Sequence, residues 1–250
     1  MKTTTLTVDC GGTGIKASIF NDRGQLIRDL PYLRTPYPLE PNLLIEIIKS
    51  FLISDISINR LTVGLPGMIR DGKVVIIPHY INKKGPRSKP DLKLKKQWFG
   101  LDLQKELIKR LKIPVLVLND AEVHAAAVIS GKELETVLTF GTGLGSAIFL
   151  NGRLSPHLEI SHATIRHGKT IDSWIGEISR KRVGNKLWSR RVKTLIEELY
   201  PVILWDKLYL GGGNAQRISK TVLKNFDYKV KLIPNSAGVS GGVRAWDLLA

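Results

Sequence analysis

The first twenty residues constrain the fold most. The apolar run Leu6-Thr7-Val8 ends in Asp9, the turn Gly11-Gly12-Thr13-Gly14 follows, and Ile15 to Phe20 alternates as a half-buried strand does. A glycine loop joining strand to strand is not a Walker A loop, which carries Gly-Lys-Ser/Thr and opens a helix. It still presents backbone N–H groups to an anion. A carboxylate just ahead of it can hold Mg²⁺, directly or through water. A plain hairpin whose glycines meet positive-φ demands accounts for this one loop equally well.

The arrangement recurs. Thr136 to Phe140 reads as a strand, Gly141-Thr142-Gly143-Leu144-Gly145 as its loop, and Ser146 to Leu150 as the next strand. A third run, Gly211-Gly212-Gly213-Asn214, follows the strand Lys207–Leu210 and precedes Ala215 to Phe226, which can be helical. That placement suits an anion at a helix N-terminus. Three such loops in one short chain favour phosphate handling, and their spacing hints at a duplicated α/β architecture. Asp71-Gly72 is a hairpin signal. Helical spacing marks Asn42–Phe51, Leu101–Leu111, Val123–Ile129, Ile171–Arg182, Lys186–Tyr200 and Ala237–Leu249.

Asn119-Asp120 closes the apolar strand Val115–Leu118. An Asp at the carboxyl edge of an α/β sheet commonly faces a ligand crevice, or it caps the next helix; neighbouring residues can divide the two tasks. Glu159 and His162 can hydrogen-bond sugar hydroxyls or belong to a surface loop. The single cysteine, Cys10, excludes an internal disulfide and a Cys-rich zinc site. No window approaches the roughly 18 apolar residues of a membrane span, and the N-terminus lacks a signal-peptide core, so a cytoplasmic protein is expected.

Lys and Arg total 38 against 22 Asp and Glu, a net charge of +16. Much of the excess lies in two clusters. Lys83, Lys84, Arg87, Lys89, Lys93, Lys95 and Lys96 occupy the stretch His79–Gln97, which reads as a mobile loop. Arg180, Lys181, Arg182, Lys186, Arg190, Arg191 and Lys193 lie along a helical region. A bound polyanion and a merely solvated face both fit such clusters. Trp98 and Trp188 flank them as anchors rather than as a base-stacking platform.

In order, these segments resemble the ROK (repressor, open reading frame, kinase) sugar kinases of the actin-like ATPase fold, among them the polyphosphate glucokinases. The resemblance is carried by Val8–Lys16, Gly64-Leu65-Pro66-Gly67, Val117–Ala121, Leu138–Ile148, Glu159–His162, Leu210–Asn214 and Asn235-Ser236-Ala237-Gly238. It implies a two-lobed actin-like (ribonuclease H-like) α/β fold with a cleft between lobes. The lobes would be 1–118 and 119–236, with a helix over 237–250 packing back on the first.

The resemblance also implies an activity: phosphoryl transfer from polyphosphate, or ATP, to the 6-hydroxyl of glucose. Asp120 would take the hydroxyl proton, and Asn119, Glu159, His162, Asp172 and His79 would contact the sugar with it. Gly11, Gly12, Thr13, Gly14, Lys16, Gly141, Thr142 and Gly143 would hold the transferred phosphoryl group. The rest of the donor would fall to Gly211, Gly212, Gly213, Asn214, Lys83, Lys84, Arg87, Lys93, Arg180, Lys181 and Arg182. Asp9 would organise Mg²⁺.

No zinc is expected. Most members carry a Cys-rich motif after the Glu-x-Gly-His segment; here His167-Gly168-Lys169-Thr170-Ile171-Asp172 stands in its place, and polyphosphate glucokinases lack the motif too. Other departures crowd the sugar side: Ser161 for Gly, Asp172 for Glu, and His79 for Asn. Two alternatives follow, an ATP-dependent ROK kinase for another sugar and a non-catalytic sugar- or polyanion-binding ROK protein. A two-metal nuclease would need clustered carboxylates and leaves the glycine loops unexplained. The family's repressors carry a helix-turn-helix ahead of the first strand, where this sequence starts on the strand itself, so nucleic acid is disfavoured as a partner. A homodimer is expected by analogy with the family.

Overall fold

The computed structural model describes residues 3–85, 88–166, 168–224, 226, 229–233 and 240–249. The chain falls into two units, Met1–Ala127 with Gly238–Ala250, and Val128–Ala237. Helix α4 thus belongs to the first unit, although the sequence reading opened the second lobe at 119.

The first unit begins with β1 (Thr5–Cys10), β2 (Gly14–Phe20), β3 (Leu26–Asp29), β4 (Leu33–Arg34) and α1 (Pro41–Ser50). Then come β5 (Arg60–Leu65), β6 (Met68–Arg70), β7 (Lys73–Ile76), α2 (Leu92–Trp98), α3 (Leu103–Leu111), β8 (Val115–Asn119) and α4 (Asp120–Ala126). Its sheet runs β3-β2-β1-β5-β8, with β4 also on β2. The first pairings are antiparallel and β1-β5-β8 parallel. Leu6, Val8, Ile15, Ile19, Leu61 and Val63 point into one core with Leu44, Ile48, Trp98, Leu103 and Leu107. The β6–β7 hairpin turns on Asp71-Gly72, both at positive φ, as the sequence signals.

The stretch 79–97 is not loop throughout. Asp91 Oδ1 accepts from the N–H groups of Lys93 and Leu94 and so caps α2. Leu94 and Trp98, one helical turn apart, are buried beneath a lysine-covered face. The lysines between them hid that spacing.

The second unit holds β9 (Leu134–Phe140), β10 (Leu144–Leu150), β11 (Arg153–Leu154), β12 (Thr164–Arg166) and β13 (Lys169–Thr170). It continues with α5 (Ile171–Ile175), α6 (Glu177–Ile203), β14 (Lys207–Gly211), α7 (Lys220–Leu223) and β15 (Lys229–Leu232). Its main sheet, β11-β10-β9-β14-β15, repeats the strand order and directions of the first. This is the duplication suggested by the glycine loops. Helix α6 bends at Gly184, φ 77°, between the two expected helical runs. Trp188 anchors it edge-on to Phe140, 5.8 Å between ring centres. The expected helix over 215–226 is instead a short 3₁₀ turn, Ala215–Arg217, followed by α7. Ile218 drops into the core between them and breaks the run.

Helix α8 (Gly241–Leu249) returns to the first unit and packs on α4, β1 and β5. Thr62 Oγ1 donates to the Gly242 carbonyl at 2.7 Å and accepts from Trp246 Nε1 at 2.9 Å. Residues 235–238, part of the sequence signature, lie outside the described residues. Among the described residues no helix is long and apolar enough to cross a membrane.

Glu135 is fully buried in the second unit. Its carboxylate accepts from the Ser130 hydroxyl, the N–H groups of Ser130, Gly131 and Lys132, and the Tyr209 hydroxyl. Burial pushes its pKa up, but these hydrogen bonds outweigh burial and hold it below the ordinary 4.5. A depressed carboxylate adds stability above its unfolded value and loses it as pH falls through its folded value. Acid unfolding is therefore expected to set in below about pH 4.5. Glu135→Gln should cost about 2 kcal/mol at pH 7 and flatten that acid limb, as chemical denaturation at several pH values would register.

Candidate active site

In the first unit, the parallel edge of the sheet gathers the sequence-predicted groups. Asp9, next to last in β1, lies opposite Lys16 of β2. Its side chain reaches water yet is crowded by protein. Desolvation raises its pKa, and the Lys16 ammonium partly offsets this. At the end of β8, the N-cap of α4 is Asn119. Its Oδ1 accepts from Ala121 N–H at 2.8 Å, and Glu122 closes the capping box on Asn119 N–H at 2.9 Å. Asp120, the first helical residue, is thus relieved of the N-cap position, and its Oδ1 lies 2.9 Å from Ala121 N–H.

The structure gives Asn119 a supporting task. Its Nδ2 donates to the carbonyls of Gly67 and, at longer range, Leu65. The amide donors assigned to sugar hydroxyls thus hold the Gly64–Gly67 segment against the start of α4. Asp9, Tyr80 and Asp120 lie within electrostatic reach of Cys10: burial first, and the two carboxylates next, push its thiol well up.

The loop between β1 and β2 is held from behind. Gly11 N–H donates to the Gly14 carbonyl at 2.8 Å. Hydroxyls of Thr35, Tyr37, Tyr80 and Tyr32 donate to carbonyls of Gly11, Gly12, Gly11 and Thr13 respectively. The sequence reading identified the loop but none of these supports.

His79 follows β7 and is half-buried. Lys83 pairs with Asp91 at 2.8 Å, while Lys84 and Lys93 are exposed. Arg87 lies outside the described residues.

In the second unit, Gly141–Gly143 joins β9 to β10. Leu144 N–H donates to Asp172 Oδ1 at 2.7 Å, Glu177 N–H to the Thr142 carbonyl at 3.1 Å, and Asn214 Nδ2 to the Gly141 carbonyl at 3.2 Å. A Cβ on Gly143 would lie 2.4 Å from Asp172 Oδ1, so only glycine admits this approach. Asp172, expected on the sugar, is thus placed against the second glycine loop.

Asn214, at the end of the third glycine run, also donates to Glu177 at 2.8 Å. Arg180 grips Glu177 with two nitrogens at 2.7 and 2.9 Å and donates to Asn185 at 2.7 Å. The Arg180 hydrogen bond, ahead of all other influences, lowers the Glu177 carboxyl to about 2. Arg180 is buried and holds Glu177, which meets Thr142 and Asn214 of the two loops; the sequence reading placed it among the donor-binding cations. Lys181 and Arg182 stay exposed, Lys181 3.3 Å from Glu177. Since a 3₁₀ turn follows Gly211–Asn214, this loop offers no helix N-terminus.

Glu159 is half-buried. Its Oε1 accepts from the Ser161 hydroxyl at 2.6 Å, and His157 Nε2 lies 3.6 Å from its Oε2. Burial raises its pKa, but His157, Ser161 and His162 outweigh this, so it stays a carboxylate. His162 is exposed, and His167 lies outside the described residues. His157, buried beside Glu159, was missed by the sequence reading.

Among the described residues no group of three or more His, Cys, Asp or Glu side chains is arranged to hold a metal. One acidic side chain beside a glycine loop suits a Mg²⁺ ion that keeps most of its waters, as Mg²⁺ commonly does.

The ROK family model matches residues 5–168. The chain belongs to the ROK family. A polyphosphate glucokinase of Mycobacterium tuberculosis (strain CDC 1551 / Oshkosh) is 27% identical over 251 residues, 95% of this chain and 89% of that protein. An inorganic polyphosphate/ATP-glucomannokinase from Arthrobacter sp. strain KM superposes with a TM-score of 0.77 at 23% identity, over 98% of this chain and 99% of that one. A ROK family glucokinase from Streptomyces griseus, solved with glucose and AMPPNP, gives 0.73 at 16% identity over 97% and 98%. These likenesses assign this ROK chain the two-lobed actin-like ATPase α/β fold.

Proposed function

We propose that this ROK protein transfers a phosphoryl group from inorganic polyphosphate, with ATP as a second donor, to the 6-hydroxyl of glucose. The observation that carries the reading is the division of labour at 119–120. Asn119 makes the cap, and Asp120 enters α4 in the same neighbourhood as Asp9 and the first glycine loop. A base beside a phosphate loop is what phosphoryl transfer needs, since that chemistry rests on positioning and charge neutralisation.

Asp120 accepts the proton of the 6-hydroxyl as its oxygen bonds to phosphorus, and the shortened polyphosphate or ADP leaves with the electron pair of the broken P–O bond. N–H groups of Gly12 and Thr13 and the Lys16 ammonium receive the phosphoryl oxygens. The family resemblance assigns Gly141–Gly143, in the second unit, further N–H groups for phosphate, and Glu159 and His162 the orientation of the sugar. Mg²⁺, held at Asp9 with the phosphates, would neutralise charge on the donor.

A different hexose is the second reading. Ser161 draws Glu159 Oε1 to 2.6 Å, spending acceptor capacity that a glycine there would leave to the sugar. A panel of hexoses and N-acetylhexosamines ranked by kcat/KM decides it: glucose first supports the proposal, and another sugar first overturns that choice.

Polyphosphate as donor is supported by the exposed cations of α6, Lys181, Arg182, Lys186 and Arg190; the first unit separately exposes Lys93, Lys95 and Lys96 on α2. A one-sign track raises the local concentration of a polyanion. Reversing Lys181, Arg182 and Lys186 to Glu should raise KM for long-chain polyphosphate by about tenfold and leave KM for ATP within about twofold. Initial rates with both donors at fixed ionic strength check this; an equal change for both contradicts the track.

A further inference from the structure

We infer that Tyr37 and Tyr80, with Thr35 and Tyr32, are positioning residues that fix the first glycine loop with its N–H groups turned toward the phosphoryl group. The inference rests on the phosphoryl-transfer reading of that loop.

In a trans peptide the carbonyl and the next residue's N–H lie in one plane and point opposite ways. The Gly11 carbonyl accepts from Thr35 Oγ1 at 2.8 Å and from the Tyr80 hydroxyl at 3.3 Å. The Gly12 carbonyl accepts from the Tyr37 hydroxyl at 2.7 Å. The Thr13 carbonyl accepts from the Tyr32 hydroxyl and from Thr35 N–H, both at 3.2 Å. Drawing these carbonyls back turns the N–H groups of Gly12 and Thr13 the other way. Among the described residues, neither N–H donates to a backbone carbonyl of a turn or loop.

Glycines leave these peptide planes little resistance of their own to rotation. The tyrosine hydroxyls supply it, and Tyr80 is itself anchored elsewhere. The Tyr80 side chain is fully buried, its ring 5.4 Å from that of Trp98. Burial pushes the Tyr37 phenol up to about 12 and that of Tyr80 well above its ordinary value, so both remain protonated donors. Donors oriented before the reaction cost no reorganisation during it.

The test is Tyr37→Phe in the full-length protein, which keeps the ring and removes the donor. We expect kcat to fall about tenfold or more, with KM for glucose within about twofold. Amide exchange over residues 11–14 should speed up while the melting temperature stays near that of wild type. Tyr80→Phe should act in the same direction. Tyr32→Phe should act least, because its hydroxyl is water-accessible and water can replace it. An active wild type whose Tyr37→Phe and Tyr80→Phe forms keep their kcat overturns the inference alone. So does a loss of kcat accounted for by lost folded protein. A folded wild type that phosphorylates no sugar with any donor overturns the kinase reading, and this inference with it.

Discussion

Asp120→Asn is expected to lower kcat by about 10³-fold, within the range that positioned acid–base groups contribute, while glucose binding stays within a few-fold of wild type. The fold should tolerate the change, because Asn119 and Glu122 make the cap of α4 and Asp120 is its first helical residue. The substitution removes one negative charge at a helix N-terminus, worth about 0.3–1 kcal/mol. Stopped-time assays for turnover and calorimetric glucose binding separate the two effects. A variant that binds glucose and turns over near the wild-type rate would place the base elsewhere.

Gly241→Ala is expected to destabilise the first unit by about 2–3 kcal/mol and to lower turnover with it. A Cβ at Gly241 would sit 1.8 Å from the Val123 carbonyl oxygen and 3.1 Å from Ala127 N. Both are backbone atoms of the α4 segment, so no side chain can rotate away. Either α8 lifts off, breaking the Thr62 and Trp246 hydrogen bonds behind it, or α4 shifts and carries Asp120 with it. At Gly213, a new Cβ meets nothing within 4 Å, so Gly213→Ala should change stability by less than about 0.5 kcal/mol. Urea denaturation of both variants checks the contrast; equal stabilities would show that the α4–α8 approach has slack.

The strands flanking the first two glycine loops were legible because their side chains alternate between core and surface, and Asp71-Gly72 announced its hairpin. The sequence allowed neighbouring residues at 119–120 to divide cap and ligand tasks, and Asn119 rather than Asp120 took the cap, closed by Glu122 in a box that the sequence reading missed. Helix α2 was not, because Leu94 and Trp98 alone carry its buried face between lysines. Nor was the interruption of 215–226, where burial of Ile218 overrides a sequence able to form helix.

The site was legible where its groups sit next to one another in the chain. Its supports reach across it: the hydroxyls of Tyr37 and Tyr80 bond carbonyls 25 and 69 residues away, and no local pattern encodes that. Arg180 shows the converse. Its sequence neighbours made it look like part of a basic track, while Glu177 and Asn185 hold it as a buried brace.

The most direct measurement supplies folded protein with glucose, Mg²⁺ and either long-chain polyphosphate or ATP, and identifies the product by phosphorus NMR. The account predicts glucose 6-phosphate, formed with polyphosphate at least as fast as with ATP and nearly abolished by Asp120→Asn. No sugar phosphate from either donor, or one formed equally well by Asp120→Asn, would contradict it.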